Sequence, residues 1–131
     1  MNKNITGLTK VTVQVQNLSK SKKGYESEFL VDIGAIDCMA PASALRKAGI
    51  SPEGRRVYEL ANGEPTEWEY GFARISFLGH ETVSQIIFGP EKADPILGVV
   101  ALENVNIGVD PATGKLKSYP ASSLKRVLHL K

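Results

Sequence analysis

Short stretches in which apolar and polar residues alternate, separated by turns rich in glycine, recur along most of this 131-residue chain. In the first of them Val11, Val13 and Val15 alternate with polar residues, the pattern of a strand with one buried face. The later stretches that we predict as strands are residues 25–31, 56–60, 66–77, 82–88, 107–110 and 115–119. Many short strands at regular spacing predict a mostly β fold, a small closed or rolled barrel.

Glycine and proline mark the turns and two short helices. Residues 17–24 are polar and end in glycine, so they predict a loop between the first two strands. The Asn62-Gly63 pair is a strong hairpin signal. Residues 40–49 have proline in the first turn, basic residues in the last and a closing glycine, which predicts a short helix. A second short helix is predicted at 99–105.

The stretch 66–77 changes its buried face near Gly71. Before it the shared face carries Trp68, Tyr70 and Phe72, and after it Ala73, Ile75 and Phe77. A strand that changes face at a glycine is predicted to be bent or bulged there. We interpret the three aromatic residues as packing groups of the core or of the hairpin, with contact to a substrate as the less favoured alternative.

Size, charge and cysteine content limit the function. We predict one domain over residues 1–131, with a core at about 10–119 and tails at 1–9 and 120–131 that are flexible. The net charge of +2 gives no support to nucleic-acid binding, although Lys20, Lys22 and Lys23 form a basic loop. No apolar run is long enough to cross a membrane, and the single cysteine indicates a reducing, cytoplasmic location. No Cys/His spacing indicates a metal, and we expect no cofactor.

One acidic residue stands where a buried strand runs into a tight turn. Phe29, Leu30 and Val31 are apolar, Asp32 follows directly, and Gly34 allows the chain to turn. Such a carboxylate is either held at a fixed point in a cleft or is a solvated turn residue. These residues alone leave both readings open.

Several motifs occur together in an order that resembles the retropepsin-like aspartic peptidases, the superfamily of retroviral proteases and their small bacterial relatives. The first is Leu30-Val31-Asp32-Ile33-Gly34-Ala35, which is similar to the family's apolar-apolar-Asp-Thr/Ser-Gly-Ala. The later matches are Ala61-Asn62-Gly63-Glu64, Gly79-His80, Phe88-Gly89-Pro90 and Ile96-Leu97-Gly98, and Leu97 to Glu103 is similar to the bacterial branch. The resemblance covers residues 10–119.

The resemblance implies an aspartic endopeptidase whose catalytic residue is Asp32. It also implies an active-site loop of Ile33, Gly34 and Ala35, and a flap hairpin of Ala61, Asn62, Gly63 and Glu64 over an extended polypeptide substrate. Since the chain carries one such motif and the reaction uses two carboxylates, we expect a homodimer with Asp32 of each copy facing across the two-fold axis. Neither nucleic acid nor a membrane is an expected partner.

Ile33 departs from the family pattern, which has threonine or serine at this position. In the family that hydroxyl forms a hydrogen bond between the two active-site loops, and isoleucine has no group that can replace it. Loss of one such bond typically costs on the order of 1 kcal/mol. The alternative reading is therefore a catalytically impaired module of the same fold that binds peptide or dimerises.

Overall fold

The computed structural model describes residues 9–60 and 62–120, and the predictions for Ala61, residues 1–8 and residues 121–131 lie outside that part of the chain. The strands are β1 Lys10–Gln16, β2 Gly24–Val31, β3 Cys38–Pro41, β4 Gly54–Glu59, β5 Pro65–Phe77, β6 His80–Gly89, β7 Ile96–Leu97, β8 Ile107–Val109 and β9 Leu116–Ser118. The helices are α1 Ala42–Lys47 and α2 Val99–Asn104. The prediction of a mostly β fold with two short helices is confirmed.

Six strands close into a ring. Neighbours in the main sheet follow the order β1-β2-β7-β3-β6-β5-β4, and β1 also pairs with β5. The pairing of β1 with β5 leaves β4 outside the ring, joined through the β4–β5 hairpin. Strands β8 and β9 form a separate two-stranded sheet. In this ring each of the six strands has a hydrogen-bonded neighbour on both sides, so none of them is a free edge.

The core lies inside this ring and is filled by the inward residues of the strands and one face of each helix. In β1 the three predicted valines Val11, Val13 and Val15 are all buried. The larger side chains buried with them are Phe29, Leu45, Ile75, Ile86, Leu97 and Leu102. The period of two read from the sequence therefore identified the buried face of β1 correctly.

Two units, each a strand, a loop, a second strand and a helix, interlock through this core. The first unit is β2, β3 and α1, and the second is β6, β7 and α2. Strand β2 pairs in parallel with β7, and β6 pairs in parallel with β3. Each unit thus contributes its first strand to a pairing with the other unit's second strand.

Two local predictions were wrong. The helix predicted to begin at Ala40 begins at Ala42, because residues 38–41 form the short strand β3. Phe72 was expected to pack, but its side chain is 40% exposed. The buried face of β5 changes at Gly71, as predicted. The pairing of β5 with β4 and with β6 has no inserted residue, so the strand has no bulge at this position. A Cβ at Gly71 would lie 2.7 Å from the carbonyl oxygen of Ser51, so the glycine serves close backbone packing.

Within residues 9–60 and 62–120, neither helix has the length and apolar character that crossing a bilayer requires.

Candidate active site

Asp32 is held at the end of β2 by backbone hydrogen bonds on both sides. Its N–H donates to the carbonyl oxygen of Leu97 at 3.1 Å, which extends the pairing of β2 with β7. Its Oδ1 accepts the N–H of Gly34 at 2.9 Å, and its carbonyl oxygen accepts the N–H of Ala35 at 3.1 Å. The half-buried carboxylate therefore has a position fixed by the chain on both sides of it.

The loop that follows Asp32 is supported by the start of α2. The N–H of Val99 donates to the carbonyl oxygen of Ala35 at 2.8 Å, and that of Val100 to Ile36 at 3.2 Å. Gly98 makes this approach possible, since a Cβ there would lie 2.5 Å from the carbonyl oxygen of Asp37. The Ile96-Leu97-Gly98 motif thus acts as a close backing for the loop that carries Asp32.

Two isoleucines of this loop point into solvent. The side chain of Ile33 is 63% exposed and that of Ile36 is 68% exposed. Together they give the loop after Asp32 a small exposed apolar surface. Exposed apolar patches on a protein often mark sites of interaction with a partner.

A cleft of about 530 Å³ lies between the Asp32 loop and the β4–β5 hairpin. Its lining residues are Gly34, Ala35, Ile36, Asp37, Met39, Tyr58, Glu59, Leu60, Trp68, Ile87 and Pro90. Apolar walls with few polar groups are typical of ligand clefts in proteins. A second depression, of about 440 Å³ beside Thr12 and His80, contains none of the predicted site residues.

Three of the predicted flap residues, Asn62, Gly63 and Glu64, lie at the turn of this hairpin. The N–H of Glu64 donates to Asn62 Oδ1 at 2.9 Å, and Gly63 has a φ of +85°, which favours glycine. The structure thus brings Gly34 and Ala35 of the predicted active-site loop to the cleft, whereas Asp32 and Ile33 lie beside it, outside its lining. The turn residues 62–64 lie outside its lining, and Leu60 is the lining residue nearest to them in the chain.

Sequence reasoning missed a polar cluster at the cleft. Gln85 Nε2 donates to Asp37 Oδ2 at 2.8 Å and to the Tyr58 hydroxyl at 3.3 Å. The Tyr58 hydroxyl donates to Asp37 Oδ2 at 3.4 Å. Burial, and then the negative charge of Asp37, raise the pKa of Tyr58, so its hydroxyl remains a donor at neutral pH. Trp68 also lines the cleft, although the sequence favoured packing for it. The change of the buried face of β5 at Gly71 was the signal that Trp68 lies on a different face from the core residues that follow.

Cys38 follows the loop but is not placed for chemistry. Its side chain is fully buried, and burial raises the pKa of its thiol to about 11, so it is a neutral packing group at neutral pH. Within the described part of the chain, no cluster of three or more His, Cys, Asp and Glu residues is arranged to hold a metal ion.

No family model and no curated protein matches the sequence. Solved structures do match the fold. The simian foamy virus (mac) protease has a TM-score of 0.52 at 12% identity, over 72% of this chain and 92% of that one.

Two further structures agree with the first, each with a TM-score of 0.50 at 16% identity. The EIAV protease in complex with the inhibitor HBY-793 matches over 79% of this chain and 93% of its own. The retroviral protease-like domain of Ddi1 from Leishmania major matches over 85% and 89%. The fold is therefore retropepsin-like, as the sequence predicted.

Proposed function

We propose that this chain is an aspartic endopeptidase that acts as a homodimer, with Asp32 of each copy in a shared active site. The observation that carries the proposal is the position of Asp32. Its backbone N–H is held by the carbonyl oxygen of Leu97 and its carboxylate accepts the N–H of Gly34, at the end of a buried strand in a retropepsin-like fold.

The chemistry needs two carboxylates that share one proton. Two such groups a few ångströms apart do not both ionise, so one remains protonated while the other is charged. The charged group takes a proton from a water molecule, which attacks the carbonyl carbon of the peptide bond, and the protonated group donates to the carbonyl oxygen. The C–N bond of the resulting tetrahedral intermediate then breaks, and the group that took the proton from water gives it to the leaving amine. One Asp32 can fill either role but not both at once.

Two other aspartates of the described chain are poorly suited to be the second acid, because their side chains are already engaged. Asp37 Oδ2 is bonded to Gln85 and Tyr58. Asp110 Oδ1 accepts the N–H of Ala112 in the turn between β8 and β9. A second copy of the chain, which brings its own Asp32, is the simpler source.

Exposed apolar side chains beside Asp32 support a contact between two copies at this place. Ile33 and Ile36 are 63% and 68% exposed in the single chain. Burying an isoleucine side chain contributes about 1.5–3 kcal/mol at full burial, so two copies of each would favour association. In this proposal Ile33 replaces the family's hydrogen bond between loops with apolar contact.

The β4–β5 hairpin is the proposed flap. It forms one wall of the cleft through Tyr58, Leu60 and Trp68. Closure of its turn over an extended polypeptide would exclude water from the two carboxylates and strengthen their electrostatic effect. Membership of the small bacterial branch, a single domain over the whole chain and a cytoplasmic location stay predictions from the sequence.

The test is cleavage of an unfolded polypeptide such as casein between pH 3 and pH 8. We expect cleavage by the unchanged chain and a loss of about 10²-fold or more with Asp32→Asn, because the general base is removed. Asp94→Asn is the matched control, an exposed aspartate two positions before β7, and it should cleave normally. Equal cleavage by the Asp32→Asn and Asp94→Asn variants, or none by any protein, would refute the proposal.

Ile33 favours a second candidate function, a peptide-binding or dimerising module of the same fold with impaired catalysis. It is tested with Ile33→Thr, which restores the family's hydroxyl. A gain of cleavage from an inactive starting protein would support this alternative. Efficient cleavage by the unchanged chain would exclude it.

A further inference from the structure

The β4–β5 hairpin has few attachments to the rest of the fold. Among the residues that the structure describes, strand β4 is the last strand of the sheet and pairs with β5 alone. Arg55 pairs with Glu67 at 3.0 Å and Arg56 stacks on Tyr70 at 4.4 Å, but both partners belong to β5. Arg46 of α1 also pairs with Glu69 of β5 at 2.7 Å, which holds the base of the hairpin to the rest of the fold but does not hold β4 directly.

The hydroxyl of Tyr58 links β4 to parts of the fold other than β5. Among the side-chain hydrogen bonds and ion pairs of the described residues, those of this hydroxyl are the ones that leave β4 for an element other than β5. They reach Asp37 in the loop after Asp32, and Gln85 on β6. The hydroxyl therefore connects the hairpin wall of the cleft to the loop that carries Asp32.

The other end of this connection is firmly held. The loop residue before Asp37 accepts the N–H of Val100, and the backbone of Asp37 itself packs against Gly98. Gln85 is half-buried on β6, a strand of the ring that pairs with β5 on one side and with β3 on the other. Because hydrogen bonds to a charged carboxylate are stronger than neutral ones, Asp37 is a suitable anchor.

We propose that Asp37, Gln85 and Tyr58 form a side-chain clamp that sets the position of the β4–β5 hairpin over the cleft. Tyr58 is a positioning residue, since it acts through the hairpin that it holds. The clamp is formed before any polypeptide binds, so it prepares the cleft for an extended chain and reduces the ordering that binding requires. Its kinetic effect rests on the proposed function, but its effect on the hairpin does not.

The direct test is the mobility of a nitroxide label on β4. Val57 is 65% exposed and precedes Tyr58, so its side chain points to the opposite face of the strand, and Val57→Cys gives a labelling site. The buried Cys38 thiol, with its pKa of about 11, should remain unlabelled at pH 7. Adding Tyr58→Phe removes one hydroxyl and keeps the ring, and we expect the label to become more mobile.

Tyr25→Phe is the matched control, because Tyr25 lies on β2 and its ring packs against Phe29. The label should have the same mobility in this background as in the unchanged chain. Gln85→Leu, which removes the shared donor, provides a second variant. It should raise mobility as Tyr58→Phe does, and the two together should add little more. Equal label mobility in all backgrounds, with all variants folded by circular dichroism, would overturn the clamp.

Cleavage kinetics give a second readout that a purely structural role would not reproduce. If the chain is a peptidase, Tyr58→Phe should raise KM by about 3- to 10-fold and leave kcat within about twofold, the pattern of lost preorganisation. A fall in kcat with KM unchanged would contradict the clamp. If no cleavage is found in any protein, the proposed function fails, while the label experiment still decides on the clamp.

Discussion

Gly98→Ala is the substitution whose effect follows most directly from the geometry of the site. Gly98 has a φ of −87°, a backbone conformation open to any residue, so strain in the backbone is not the issue. A Cβ there would lie 2.5 Å from the carbonyl oxygen of Asp37, 2.6 Å from its carbonyl carbon and 2.7 Å from the carbonyl oxygen of Ile36. All three are backbone atoms, so the loop after Asp32 must shift as a whole. Overpacking of this kind costs about 1–3 kcal/mol.

Urea unfolding and thiol labelling together test this prediction. With a typical urea dependence of about 1–3 kcal/mol per molar, the midpoint should fall by about 1 M. The Gly98 N–H donates to the Cys38 sulfur at 3.5 Å, so a displaced loop should also expose this thiol to a reagent at pH 8. Gly24→Ala is the control, because its Cβ would meet only ordinary contacts of 3.4 and 3.6 Å. If Gly98→Ala matched Gly24→Ala in both measurements, the account of the loop would be wrong.

Three further predictions concern stability. Burial raises the pKa of Cys38 from 9.0 to about 11, so the neutral thiol stabilises the folded state fully below pH 9, and this contribution is lost as the pH rises towards 11. Between pH 8 and 10.5 the free energy of unfolding of the unchanged chain should fall by about 2 kcal/mol more than that of Cys38→Ala. Equal losses in the two proteins would contradict this. Hydrogen bonds from Ser43 lower the pKa of Glu91, so Glu91→Gln should reduce the urea midpoint at pH 7, and this difference should shrink as the pH falls through the range of carboxyl groups; a difference independent of pH would refute it. Gly71→Ala should cost about 1–3 kcal/mol in urea unfolding, because its Cβ would lie 2.7 Å from the Ser51 carbonyl oxygen, and an unchanged midpoint would contradict this close approach.

The parts of the fold that the sequence predicted are those whose residues carry a local pattern. Alternation along β1 reflects burial of one face, and the three valines are buried as expected. The Asn62-Gly63 turn needs a positive φ, which Gly63 has at +85°. The retropepsin-like fold was predicted because the motifs around Asp32 and Gly98 occur in the order that resembles that family.

The parts that the sequence could not predict depend on contacts between distant residues. Strand β3 has four residues and β7 has two, too few for a readable period, and both exist because neighbouring strands pair with them. The clamp joins side chains separated by 21 to 48 positions, and no local signal relates Tyr58 or Gln85 to Asp37. Trp68 was predicted as packing because its face of β5 is aromatic, and its place in the cleft follows from the position of the loop opposite.

The central claim is that two copies of Asp32 form one active site, and a mixing experiment tests it directly. The unchanged chain and Asp32→Asn are combined in equal amounts at constant total concentration, exchanged to equilibrium, and assayed for cleavage of unfolded polypeptide. If each active site needs Asp32 from both copies, random pairing leaves about a quarter of the dimers active, so about a quarter of the original activity should remain. Retention of about half of the activity would show that each chain works alone, and would contradict the account.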